Sequence, residues 1–279
     1  MRTITQKQIE NAVFKTSLKA NFVLRKDALD ALKNAVKKEK KQSAKNMLKV
    51  LIENAKIARS KKIAICQDTG MVCVFCEIGT NVKISGDIKQ AINNGIKKAY
   101  KEGFLRKSVV DDPLLRKNTN TNTPASINFD FINGSRIKIS LIPKGFGSEN
   151  ASFVKMFNPT TPAKEIIGFI VKTVKEAGAS ACPPLVLGIG MGGTLDKAAV
   201  LSKKALLIPI AKKNPKNHIK ALEKEILEKI NKTNIGPMGL GGKTTCLGAN
   251  ILTYPTHIAG LPVCVNVCCH ALRSASVII

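Results

Sequence analysis

Eight cysteines are the residues of this 279-residue chain most able to do chemistry. A free cysteine in a reducing compartment serves as core packing, a metal ligand or a catalytic thiol. Cys73 and Cys76 form a C-x-x-C pair, but no second pair follows at zinc-site spacing, so packing is the better interpretation. Three other cysteines stand out by their context, and these are Cys66, Cys182 and Cys269. They are far apart in the chain, so only a fold could gather them, and residue patterns alone leave that as a hypothesis.

Two of the three cysteines adjoin predicted elements, and the third adjoins a histidine. Cys66 opens a polar loop, residues 66–70, directly after a short apolar run at 63–65 that we predict to be a strand. Cys182 lies in the sequence SACPP, between a predicted helix and a predicted strand. Cys269 directly precedes His270. These positions at the ends of elements are where loops carry ligands and catalytic groups.

The elements that would position these loops alternate along the whole chain. Apolar residues at helical spacing predict helices over residues 5–58, 87–102, 161–177, 195–207 and 215–230. Strands are predicted over residues 72–78, 127–131, 137–142 and 185–189, with the turn Asn133-Gly134 favouring a hairpin between the second and third. The pattern predicts an α/β fold, a mixed sheet with flanking helices. We expect one domain over residues 1–279, with a helical lobe of about residues 1–60 packed on it.

Two glycine-rich stretches approach known phosphate-binding motifs without completing them. Residues 188–193 fit G-x-G-x-x-G, but no acid follows about twenty residues later, where residues 211–213 read AKK. We interpret these glycines as a turn that needs positive φ and as close helix packing. Residues 241–244 resemble a P-loop, but its first glycine would fall on Pro237. A loop of amides together with Lys243 could still hold a carboxylate.

The net charge of +26 is the most unusual bulk property of the chain. It indicates an anionic partner or substrate, or a compositional bias towards lysine. Aromatic residues make up 4% of the chain and tryptophan is absent, so solvated helix faces are favoured over a nucleic-acid groove. A basic nucleic-acid-binding protein stays as a remote alternative, and a more acidic partner subunit would also suit the charge. No apolar run is long enough to span a membrane and no signal peptide is visible, so we expect a cytoplasmic protein.

Several longer motifs occur in order along the chain and together resemble those of class I fumarases. They read CQDTG at 66–70, GSEN at 147–150, ACPP at 181–184, GIGMGG at 188–193, GPMGLGG at 236–242 and CHA at 269–271. Shorter matches are DP at 112–113, RKNT at 116–119 and NTP at 122–124. The resemblance covers about residues 5–275. It is to the alpha subunits of the two-subunit enzymes, class I fumarate hydratase and L-tartrate dehydratase, and it implies the fold of the class I fumarase N-terminal domain.

The resemblance implies a 4Fe-4S cluster held by three cysteines, which by motif position are Cys66, Cys182 and Cys269. Three thiolates leave the fourth iron open, and an open iron acts as a Lewis acid on a hydroxyl leaving group. Cys268 is the nearest competitor, but it lacks the place directly before His270.

The resemblance also implies which residues bind substrate, namely Gln67, Asp68, Arg106 and Gly147. Asp68 could hydrogen-bond the hydroxyl or water and orient it, as the catalytic residue, or it could cap its own loop. Arg106 aligns with an arginine that binds a substrate carboxylate, and the alternative is one more surface base. His257 and His270 could support the site near Cys269 or be ordinary core histidines.

The function implied is that of a hydro-lyase, which hydrates fumarate reversibly to L-malate in the tricarboxylic acid cycle. The alternative is the alpha subunit of L-tartrate dehydratase. Members of the family carry a further C-terminal domain with carboxylate-binding groups, and this chain ends at Ile279 without it. We therefore expect a separate beta subunit, in a hetero-oligomer of two alpha and two beta chains. The expected ligand is a small dicarboxylate, and nucleic acid and membrane are not expected partners.

Overall fold

The computed structural model describes residues 1–279, which divide into two compact units. Unit 1 comprises Met1–Arg25, Asn54–Phe146 and Arg273–Ile279, and unit 2 comprises Lys26–Glu53 and Gly147–Leu272. Each unit contains one four-stranded sheet of mixed direction. The predicted mixed α/β fold class is therefore confirmed, with one such sheet in each unit.

The elements have the following bounds. The helices are α1 (Gln6–Phe22), α2 (Lys26–Lys38), α3 (Gln42–Lys61), α4 (Ile88–Glu102), α5 (Phe146–Glu149), α6 (Ala163–Ala177), α7 (Leu195–Ala205) and α8 (Asn217–Asn231). The strands are β1 (Arg2–Thr5), β2 (Met71–Gly79), β3 (Val82–Ser85), β4 (Ser126–Ile132), β5 (Ile137–Lys144), β6 (Phe153–Phe157), β7 (Leu185–Met191), β8 (Cys246–Thr253), β9 (Leu261–Cys268) and β10 (Ala275–Ile278). No helix is both long enough and apolar enough to cross a membrane.

The sheet of unit 1 has the strand order β10-β5-β2-β4, and β1 and β3 form a separate parallel pair. Helix α1 packs against α4, β5 and β10, so the two helices cover the apolar strands. Asp87 caps the N-terminus of α4 by accepting hydrogen bonds from the backbone N–H groups of Lys89 and Gln90. The aliphatic core formed in this way supports the loops at the ends of β2 and β5.

The predicted hairpin between β4 and β5 is wrong, although both strands exist. Strand β2 lies between them, parallel to β4 and antiparallel to β5. The connecting turn passes over the end of β2, where the Asn81 N–H donates to the Gly134 carbonyl at 2.9 Å. Strand β2 is apolar along nearly its whole length, so burying both of its edges in the sheet is more favourable than direct pairing of its neighbours. The local turn signal could not reveal this insertion.

The strand predicted at residues 63–65 is also wrong. Helix α3 continues to Lys61. The backbone N–H and carbonyl groups of Ile65 form hydrogen bonds with helical residues and not with another strand. Its N–H donates to the Asn21 carbonyl at 3.0 Å, and its carbonyl accepts from the Asn54 Nδ2 group at 2.9 Å. An apolar run of three residues is too short to distinguish a strand from a buried loop of this kind.

The sheet of unit 2 has the order β6-β9-β7-β8, with β7 parallel to β8 and antiparallel to β9. Helix α7 lies directly on β7, because Gly188 and Gly190 have no side chains. A Cβ at either position would lie 2.0 Å from a carbonyl oxygen of α7. Gly192 and Gly193 follow in the left-handed region, with φ values of 89° and 73°. Close packing and turn geometry thus account for the G-x-G-x-x-G pattern without a nucleotide.

Candidate functional site

The loop of Cys66, residues 66–70, belongs to unit 1 and is held firmly from below. The buried Tyr100 hydroxyl donates to the Thr69 carbonyl at 2.7 Å, and Asn122 Nδ2 donates to the Gly70 carbonyl at 3.0 Å. Burial raises the pKa of the Tyr100 phenol, so the hydroxyl stays protonated as a donor. Cys66 and Asp68 are left half-buried at the surface of this loop, and Gln67 is exposed.

Both carboxylate oxygens of Asp68 accept backbone hydrogen bonds. Oδ1 accepts from the Gly70 N–H at 2.9 Å, and Oδ2 accepts from the Phe146 N–H at 2.7 Å. The loop-capping alternative for Asp68 is therefore real, and it fixes the direction of the carboxylate. Each oxygen retains a further lone pair for a ligand. The Phe146 bond also joins the Cys66 loop to the glycine-rich segment that follows β5.

A buried arginine beside Asp68 was not among the predicted site residues. Arg273 is 2% exposed, and neither its Nε nor its Nη1 group has a hydrogen-bond partner in the structure. Its Nη2 atom and the Asp68 Oδ2 atom lie 3.1 and 3.0 Å from the point that a Cβ at Gly145 would occupy. Because Gly145 has no side chain, the Asp68 carboxylate and the Arg273 guanidinium can both lie this close to its backbone. The sequence signal was an arginine four residues after Cys269 in a chain whose basic residues are mostly lysines.

Arg106 lies in the same unit and is joined to the Cys66 loop through its backbone. The Thr69 hydroxyl donates to the Arg106 carbonyl at 2.6 Å. Asn122 bridges the two segments, because its Oδ1 accepts from the Ser108 N–H at 2.8 Å while its Nδ2 bonds Gly70. The Arg106 side chain is exposed. Unit 1 therefore brings together Cys66, Gln67, Asp68 and Arg106 on two linked loops.

Unit 2 brings together the segments of Cys182 and Cys269 through His270. Cys182 follows a short 3-10 turn and has a φ of 54°, which turns its carbonyl towards the end of β9. That carbonyl accepts from the His270 N–H at 3.3 Å and contacts the His270 Nδ1 atom at 3.0 Å. Since a carbonyl only accepts, the ring proton lies on Nδ1. His270 thus links the segment of Cys182 to the segment of Cys269, which are two of the predicted ligand segments.

Gly147 lies near the same segment. A Cβ at this position would lie 3.6 Å from the Ser180 carbonyl, two residues before Cys182, and Gly147 itself is exposed. His257, by contrast, lies in an exposed turn, where its Nδ1 atom accepts from the Ala259 N–H at 3.1 Å. Of the two histidines considered, His270 is therefore the one that contacts a predicted ligand segment.

The eight cysteines form two groups by exposure. The same two groups separate the cysteines in the fumarase-like motifs from the other five. The half-buried cysteines are Cys66, Cys182 and Cys269, and the buried ones are Cys73, Cys76, Cys246, Cys264, Cys268. Burial raises the pKa of the Cys76 and Cys246 thiols to about 12, so these two stay protonated at neutral pH. Cys73 and Cys76 also lie three residues apart on β2, where alternation directs their side chains to opposite faces. They therefore cannot share a metal ion.

The chemistry of the three half-buried cysteines fits an iron–sulfur group, because soft sulfur donors are the ligands that iron–sulfur clusters take. No group of three His, Cys, Asp or Glu side chains is arranged around one metal position. Three half-buried thiols in loops, with no disulfide among them, are suitable donors for such a group.

The loop of residues 236–244, which contains the P-loop-like stretch, binds a carboxylate that comes from the chain itself. Glu39, which is 4% exposed, accepts from the Lys243 N–H at 2.8 Å and the Thr244 N–H at 3.3 Å through Oε2. Its Oε1 accepts from the N–H groups of Lys40 and Lys41 at 2.9 and 3.2 Å. The amides of the P-loop-like sequence are therefore occupied internally. The same loop touches the Cys182 segment, because the Met238 N–H donates to the Pro183 carbonyl at 2.8 Å.

We predict that Glu39→Gln lowers the free energy of unfolding by about 2–4 kcal/mol, since an amide would place an NH₂ group against backbone donors. Equilibrium urea unfolding of the chain, followed by circular dichroism, measures the change. Glu225→Gln is the matched control, because Glu225 forms a surface pair with Lys229 and is half exposed. The control should change the unfolding free energy by less than about 0.5 kcal/mol. Equal effects of the two substitutions would contradict the proposed importance of the four amide bonds.

Comparison with known proteins places the chain among enzymes. Residues 10–278 match the family described as fumarate hydratase (Fumerase). A protein of Methanocaldococcus jannaschii, provisionally named L(+)-tartrate dehydratase subunit alpha, is 43% identical over 277 residues, which are 96% of each chain. The L(+)-tartrate dehydratase subunit alpha of Escherichia coli O157:H7 is 26% identical over 274 residues, covering 95% of this chain and 90% of the relative.

Proposed function

The chain belongs to the fumarate hydratase (Fumerase) family, and from this we propose that it is the cluster-holding alpha subunit of a hydro-lyase that hydrates fumarate to L-malate. The observation that carries the proposal is the coincidence of motif and exposure: the three cysteines in family motifs are the three that reach the surface. We propose that Cys66, Cys182 and Cys269 hold a 4Fe-4S cluster. When bound, such a cluster supplies an open iron that acts as a Lewis acid on the hydroxyl of the substrate.

The protein's own groups bind and orient the substrate in this proposal. Asp68, fixed by two backbone N–H groups, accepts a hydrogen bond from the hydroxyl or water and holds it in one direction. Gln67, the Gly147 backbone and the Arg106 guanidinium bind the carboxylates, and Arg106 is suited to a bidentate pair. The buried charge of Arg273 beside Asp68 favours an anionic ligand at this loop.

In this proposal His270 and Glu39 do not contact the substrate. They hold the segments that carry the cluster ligands in position. His270 keeps the segments of Cys182 and Cys269 at a fixed separation through its contacts with the Cys182 carbonyl. Glu39 holds the 236–244 loop, which in turn contacts Pro183. Rigid support of this kind is what a ligand set needs to keep its geometry through turnover.

The second candidate is L-tartrate dehydration, and the names of the relatives favour it. Dehydration of L-malate, the reverse of fumarate hydration, and dehydration of L-tartrate both remove water from a hydroxy diacid, so both suit a basic chain with an anion-binding loop. The names of the relatives as alpha subunits support the proposal of a separate beta subunit. We propose that the complex contains two alpha and two beta chains. We further propose that this complex acts in the cytoplasm.

Substrate choice is tested with the anaerobically reconstituted complex of alpha and beta chains. Initial rates are measured with L-malate, fumarate and L-tartrate, and kcat/KM is compared. The proposal predicts the higher kcat/KM for the malate–fumarate pair. A higher value for L-tartrate would replace it with the second candidate, and no water loss or addition with any of the three acids would overturn both.

A further inference from the structure

Three large apolar side chains of one segment in unit 1 are almost completely exposed. Phe104 is 95% exposed, Leu114 is 88% exposed and Leu115 is 85% exposed. All three belong to the segment between α4 and β4, whose neighbouring apolar residues Leu105 and Val109 are buried. Exposure of leucine and phenylalanine side chains to water is unfavourable, and their burial against a partner would be favourable.

The two leucines lie at the tip of a hydrogen-bonded loop, residues 110–118, which we name the knuckle. Val110 and Asn118 form an antiparallel bridge at its base, and the Asp111 N–H donates to the Lys117 carbonyl at 2.8 Å. Asp112 Oδ1 accepts from the N–H groups of Leu114 and Leu115 at 2.8 and 2.7 Å. These bonds lower the pKa of Asp112, which stays charged and keeps the turn closed.

A loop whose backbone is already fixed loses less conformational entropy on binding than a flexible loop does. The bridge and the Asp112 turn fix the backbone while the leucine side chains stay in solvent. This is the arrangement expected of an apolar anchor at the centre of an interface.

Exposed basic side chains lie on the same segment as the two leucines. Arg106, Lys107, Arg116 and Lys117 are all exposed, and Asp111 is the exposed acid among them. An apolar centre with a charged rim is the usual composition of a protein interface. The rim here has an excess of positive charge, so the complementary surface is an apolar groove bordered by carboxylates.

Charge distinguishes the two chains that could bind at the knuckle, a second copy of this chain and a different chain. A second copy of this chain would bring the same basic rim and a net charge of +26 of its own, and like charges oppose that pairing. A different chain with an acidic rim meets no such repulsion. The base of this segment is joined to the Cys66 loop by the Thr69–Arg106 bond and by Asn122, so a partner bound here would contact the segment that supports that loop.

We propose that the knuckle is the docking site for the separate beta subunit, which receives Leu114 and Leu115 in an apolar groove with an acidic rim. This inference rests on the proposed function for the identity of the partner. Electrostatic steering by the rim should also make association weaken as salt is raised.

The test compares the double variant Leu114→Ser/Leu115→Ser with Ile258→Ser, a control at an 89% exposed residue of unit 2. Each alpha chain is titrated with the tagged beta chain of the same genome, and the Kd is measured by calorimetry. The double variant should bind about 30-fold more weakly or worse, while the control binds like wild type. Thermal unfolding of all three alpha chains should be alike, because exposed sites contribute little to stability.

Equal Kd values for the double variant and wild type would overturn the inference. Loss of self-association in the double variant by sedimentation, with an unchanged Kd for the beta chain, would also overturn it and assign the knuckle to a second copy. Iron content and hydration activity of the wild-type complex are measured on the same samples. Failure of the proposed function would show there, whereas failure of this inference shows only in the Kd comparison.

Discussion

Replacing Cys66, Cys182 or Cys269 with alanine is expected to lower turnover of the alpha–beta complex by at least about a thousand-fold. The physical reason is that each substitution removes one of three thiolate ligands, and the Lewis-acid contribution lost with the cluster is worth several kcal/mol in the transition state. Alanine is preferred to serine because a serine oxygen could still bind iron. Turnover of L-malate and bound iron are measured on the same anaerobic samples.

The controls are Cys73→Ala and Cys268→Ala, which remove buried thiols. Each should cost stability in proportion to a small cavity, and each should keep turnover and iron near the wild-type values. Cys268 is the sharper control, because it is the immediate neighbour of Cys269 and the alternative ligand by sequence. Loss of iron in Cys268→Ala with retention in Cys269→Ala would reassign the third ligand.

The second large effect is expected for Asp68→Asn, which should lower kcat by about 10²–10⁴-fold. An amide cannot accept hydrogen bonds at both of its positions as the carboxylate does from Gly70 and Phe146. It also removes the negative charge that would orient a substrate hydroxyl or water. The KM should change much less than kcat, because the proposed carboxylate-binding groups are separate residues. Steady-state kinetics of the reconstituted complex measure both quantities.

Asp87→Asn is the matched control for Asp68→Asn, since Asp87 also accepts two backbone hydrogen bonds and lies at the exposed N-terminus of α4. It should lower stability slightly and leave kcat unchanged. A purely structural Asp68 would show instead as equal losses of stability and kcat, with iron content reduced in parallel. An unaltered kcat in Asp68→Asn would refute its catalytic role directly.

Local patterns were sufficient for the elements that depend on local forces. Helix α4 begins after Asp87 and ends before Gly103, which agrees with the predicted helix over residues 87–102. The glycines at 188–193 have the packing and turn roles expected of them. These features follow from interactions between residues a few positions apart.

Long-range contacts were the part that the sequence did not reveal. Strand β2 separates β4 from β5 through pairings that no turn signal reports. Two of the four amide groups that bind Glu39 lie about two hundred residues away, and Arg273 lies next to Asp68 only in the folded chain. The site residues were predicted because their motifs could be matched to a family, and the motifs alone did not give the supports that hold those residues in place.

The measurement that tests the central claim most directly is the iron and acid-labile sulfide content of the wild-type chain after anaerobic reconstitution, read together with its absorbance spectrum. The account predicts about four irons and four sulfides per chain, with the broad visible band of sulfide-to-iron charge transfer. A chain that folds as described and still retains no iron under these conditions would contradict the proposal that Cys66, Cys182 and Cys269 hold a cluster.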